Sequence, residues 1–110
     1  MEGRAAPHPV VPASFAESVR ARLQVLDREA RQVLAAAAVL GRRFDWDLLP
    51  GVAGVDGATA VASLRQAVDA QLVVDGQRFR FRHALTRETV LAELLPPEHG
   101  ELAGRALVAV

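Results

Sequence analysis

Cysteine, lysine, tyrosine, asparagine and isoleucine are all absent from this 110-residue chain, and only 5% of its residues are aromatic. Without cysteine there is no disulfide framework, no thiol nucleophile and no thiolate zinc site, a usage that suits a reducing cytoplasm. Without lysine there is no Gly-rich Walker loop, so the chain cannot by itself cradle and hydrolyse a nucleotide. Net charge is missing too: thirteen Arg oppose thirteen Asp plus Glu, which leaves no global field to draw in nucleic acid or anionic lipid. The longest apolar run, Val33 to Leu40, is eight residues against the roughly twenty that cross a bilayer, so no membrane span is expected. Residues 1–13 carry Glu2, His8 and three prolines but no apolar stretch, and are not a signal peptide. Only three serines occur, and neither they nor the acids have a nucleophile setting, so no catalytic residue is expected and the chain does not read as an enzyme. His8, His83 and His99 are widely spaced, which argues against a metal site.

What remains is 51% hydrophobic, enough for one packed core without staples and too short for two. Pro7, Pro9 and Pro12 mark residues 1–13 as a linker, because proline-rich chain does not nucleate a helix. Ser14 and Glu17 have capping-box spacing, and Phe15, Val19, Leu23 and Leu26 follow at helical intervals, predicting a first helix from Ser14 to Leu26. Asp27 is a good N-cap for a second helix through Leu40, stopped by Gly41. The Ala35–Ala38 run lets neighbours approach closely and predicts that this helix is central. Asp45 can cap a short helical turn through Leu49 that Pro50 and Gly51 end. A third full helix is expected from Ala58 to Ala70. Leu72–Val74, an Asp75-Gly76 tight turn and Arg78–Arg82 then predict a two-stranded hairpin. In its second strand Phe79 and Phe81 alternate with Arg78, Arg80 and Arg82, giving a core face and a cationic face. Helix returns over Leu85–Leu95, breaks at Pro96 and Pro97, and resumes at Glu98.

The expectation is a mainly α, winged-helix (helix-turn-helix-like) domain over residues 14–95, with a two-stranded β-hairpin wing, and a C-terminal helix over 96–110 that leads toward further helical repeats. The apolar ending Leu107-Val108-Ala109-Val110 reads as a boundary inside a longer protein.

Three blocks carry a resemblance: Val11-Pro12-Ala13-Ser14 leading to Ala21-Arg22-Leu23; Ala36 to Asp45; and Phe79-Arg80-Phe81-Arg82-His83-Ala84-Leu85-Thr86-Arg87-Glu88. Over residues 12–107 the chain resembles the winged-helix segment that follows the nucleotide-binding module in LuxR-type bacterial transcriptional regulators of the STAND ATPase class. It departs from them at Leu102-Ala103, where such proteins often have Leu-His. The resemblance implies a cytoplasmic signal-transduction protein in which this segment couples the ATP or ADP state of an adjacent ATPase domain to downstream helical sensor repeats and a separate DNA-reading helix-turn-helix. No cofactor is expected in this segment itself. The resemblance also matches His83 to a histidine that related nucleotide switches place against the ADP phosphate, although the local motif is Arg82-His83-Ala84 rather than Met-His-Asp. The plainer alternative is a histidine that caps its helix and packs locally.

Arg78, Arg80 and Arg82 suit a phosphate, either of DNA or of a nucleotide across a domain interface, with a solvated strand face as the alternative. Three charges release few counterions. The candidate recognition helix, Ala58–Gln71, offers only Arg65, Gln66, Asp69 and Gln71 to a major groove. An interaction module is therefore the first expectation, direct DNA binding the second and self-association through exposed apolar surface the third.

Overall fold

The computed structural model describes residues 12–76 and 78–109; the expected linker lies almost wholly outside them. Six helices and three short strands alternate among these residues: α1 (Ala13–Val25), α2 (Arg28–Leu40), β1 (Arg43–Phe44), a 3-10 turn (Trp46–Leu48), α3 (Leu49–Ala53), α4 (Gly57–Asp69), β2 (Val73–Val74), β3 (Phe79–Phe81), α5 (Ala84–Ala92) and α6 (Pro96–Ala109). The molecule is mainly helical, with a small antiparallel sheet in the order β1-β3-β2. No described helix is long and apolar enough to cross a membrane.

α2 is the axis of the fold, as the alanine run predicts. Ala36, Ala37 and Ala38 are fully buried, and α2 touches α3, α4, α5 and α6. Its start is fixed by Asp27, whose Oδ1 accepts from the Ala30 amide at 2.8 Å. Its end is fixed by Gly41 at φ 143° and ψ −178°, a region essentially closed to side chains. The Asp27 carboxyl is held below its ordinary range chiefly by the Gln66 side chain, which donates to Oδ2 at 2.8 Å, with the Ala30 amide second. Gln66 also accepts from the Asp27 amide at 3.1 Å, so one side chain pins α4 to the start of α2.

Four expectations need correction. Ser14 lies inside α1 and caps nothing; Pro12 is the N-cap, and its carbonyl receives the Ala16 amide at 3.0 Å. Pro50 does not end a helix but stands in the first turn of α3, where a missing N–H costs no hydrogen bond. That helix runs on to Gly54, which takes the left-handed C-cap at φ 75°. Pro96 and Pro97 likewise open α6, and Glu98 reaches back to accept from the Leu95 amide at 2.7 Å. The last correction concerns the hairpin: it has a third strand, because Arg43–Phe44 pairs with β3 on the side away from β2. Its strands end at Val74 and resume at Phe79, a longer connection than a two-residue Asp-Gly turn.

Candidate functional site

Register builds the site. Phe44 stands opposite Phe79 and Val73 opposite Phe81, so these side chains share the inner face. The rings meet there, Phe44 lying 6.3 Å from Phe79 and 5.8 Å from Phe81 between centroids. By alternation, Arg43 and Arg80 face outward, directly opposite one another, with Val74 on Arg80's other side. Continuing the register by two residues sets Asp45 against Arg78, and Asp45 Oδ1 lies 3.1 Å from Arg78 Nε. Both side chains are more than half exposed, so the pair adds at most about 1 kcal/mol, but it neutralises Arg78. Among the described residues no carboxylate lies within 4.0 Å of Arg43, Arg80 or Arg82.

Of the predicted stripe of Arg78, Arg80 and Arg82, only Arg80 lies within β3, and Arg78 and Arg82 flank the strand. That strand is the central one, Arg78 is paired, and Arg43 joins from β1. Arg43 could not be assigned to this face from sequence, because a two-residue strand shows no alternation.

His83 lies elsewhere in the local chemistry. It is the N-cap residue of α5, but its side chain makes no capping hydrogen bond, contrary to the capping expectation. Its backbone carbonyl does that work, accepting from Thr86 N at 3.0 Å and Arg87 N at 3.4 Å. The exposed imidazole meets the Phe15 ring of α1 edge-on, with centroids 5.8 Å apart and planes at 84°.

In the block that follows His83, Arg87 is a framework residue. Its Nε donates to the Ala38 carbonyl at 2.7 Å, satisfying an end-of-helix acceptor of α2 with a cation, and Nη1 lies 3.6 Å from Glu88 Oε2. Arg87→Ala is expected to destabilise the fold by about 1.5–2 kcal/mol, the lower part of the range for a charge-assisted hydrogen bond because the side chain is partly exposed. Urea denaturation checks this; an unchanged midpoint would show that water replaces the guanidinium without loss.

The outer surface of α4 presents little to a phosphate backbone. Gln66 is engaged with Asp27, and Gln71 sits past the helix end at φ 65°. Arg65 and Asp69 remain, beside an apolar groove lined by Val61, Val68, Phe79 and Trp46. Trp46 and Val61 are 42% and 48% exposed. No cluster of three or more metal-ligating side chains occurs among the described residues. In comparisons with protein-family models, curated proteins and solved structures, the chain matches none of them.

Proposed function

We propose that this chain is a non-catalytic winged-helix module of a multidomain LuxR-type, STAND-class bacterial regulator, working in the cytoplasm to couple the ATP or ADP state of a neighbouring ATPase domain to downstream repeats. The observation that carries this reading is the outer surface of α4. A helix that reads DNA needs basic and amide side chains free to enter the major groove. Here Gln66 is spent on α2 and the neighbouring surface is Trp46, Val61 and alanine, which suits a protein partner. The β1-β3-β2 order, with α4 leading into β2, supports the winged-helix reading. A switch then needs only that one nucleotide state favour one docking of this module over another.

Fluorescence anisotropy with mixed-sequence duplex DNA tests it. No binding is expected near physiological salt. Salt-sensitive binding that is lost when Arg78, Arg80 and Arg82 all become Gln would replace this reading with direct DNA binding through the sheet. Sedimentation of the same sample separates both from self-association through the Trp46–Val61 surface.

A further inference from the structure

The outer face of the sheet carries a feature that does not depend on the coupling reading. Phe81 N donates to the Arg42 carbonyl at 2.8 Å, which makes 42/81 a hydrogen-bonded pair of the antiparallel ladder. Arg43 and Arg80 are one step further along, at a non-hydrogen-bonded position, where opposed side chains start about 4.5 Å apart. Like charges directly opposite are unfavourable there, and no described carboxylate relieves them. Arg82 is the first residue past the end of β3, two residues on from Arg80, and its amide donates to the Leu72 carbonyl at 3.0 Å. Arg80 is half-buried, whereas Arg43 and Arg82 are exposed.

The geometry points to a binding site for a compact polyphosphate, free or carried by a nucleotide, held by Arg43, Arg80 and Arg82. Two arginines directly opposed across the ladder, with a third two residues on, call for an anion that brings several negative charges in a small volume. A carboxylate brings one. A phosphate chain brings three or four, and its oxygens match the planar fork of each guanidinium. Duplex DNA spreads its charge along an axis, and three contacts are half or less of the six to ten that give strong, salt-sensitive binding.

Calorimetric titration of the whole chain with tripolyphosphate at low salt tests the assignment, with ATP and a mixed-sequence duplex as parallel arms. Tripolyphosphate is expected to bind, and Arg43→Gln and Arg80→Gln are each expected to weaken it about tenfold. Asp45→Asn releases Arg78 and is expected to tighten it severalfold. Arg43→Gln should at the same time raise the thermal midpoint without ligand, because it removes the opposed charge; loss of binding in this variant is therefore not loss of fold. ATP binding as tightly as tripolyphosphate would define a site that reads the phosphate chain alone, and ATP binding more tightly would make it a nucleotide site. Absence of tripolyphosphate binding, binding unaffected by Arg43→Gln, or a duplex that binds more tightly than tripolyphosphate would each overturn the proposal.

Discussion

Phe81→Ala is expected to cost about 3–5 kcal/mol of unfolding free energy, the range for removing a buried aromatic ring. Phe81 is fully buried on the central strand, 5.8 Å from the Phe44 ring, with Val73 opposite it on β2. The three strands have two, two and three residues, too few for the hydrogen-bond ladder to hold the sheet together alone. Side chains on the inner face must therefore fasten it to the helices, and Phe81 reaches both outer strands. A domain of this length has a total stability of roughly 5–15 kcal/mol, so the loss is a large part of it. In urea the midpoint should fall by roughly 1–5 M at an unchanged slope. A loss below about 1 kcal/mol would show that the sheet is held by something other than this ring, and Arg43 and Arg80 would then owe their placement to another contact.

The helices were legible because their signals are local. Asp27 before Arg28, the alanine run and Gly41 after Leu40 all act within one element, and the structure uses each in the role its chemistry suggests. The prolines misled for a related reason. Proline forbids the helix interior but suits the first turn, and a single sequence does not say which side of Pro50 or Pro96 the helix takes. Ser14 has the right spacing for a capping box, yet α1 starts one residue earlier and encloses it.

The candidate site was legible only in part. Alternation placed Arg80 opposite in sense to Phe79 and Phe81, and the structure keeps that division. What alternation could not supply was the neighbour across the ladder. Arg43 and Asp45 lie more than thirty residues away and meet β3 only because the chain between them folds into α3 and α4. That long-range pairing decides the charge of the face, since Asp45 removes Arg78 from it and Arg43 takes its place. The Arg87 contact with the Ala38 carbonyl was hidden for the same reason, as it joins residues 49 apart.

Ala37→Leu tests the frame on which these long-range contacts depend, and is expected to destabilise by about 1–3 kcal/mol, lowering the thermal midpoint by roughly 10 °C. Helix propensity changes little between the two residues, so the effect isolates packing. Ala37 is fully buried in the middle of α2, with helices packed around it, and three added carbons have nowhere to go without moving one of them. Ala35→Leu is the matched control. Ala35 is 8% exposed and lines the groove shared with Leu23, Val90, Leu94 and Leu102, so a larger side chain there finds apolar partners and should leave stability within about 1 kcal/mol of the parent. Equal losses in the two variants would mean that α2 resists enlargement on every side. A loss confined to Ala37 would show that the alanine surface sets the distance of α2 from its neighbours. That distance matters beyond stability, because α2 receives Arg87 near one end and Gln66 through Asp27 at the other. Displacing its neighbours would therefore shift α4 and its Trp46 groove relative to the arginine face of the sheet.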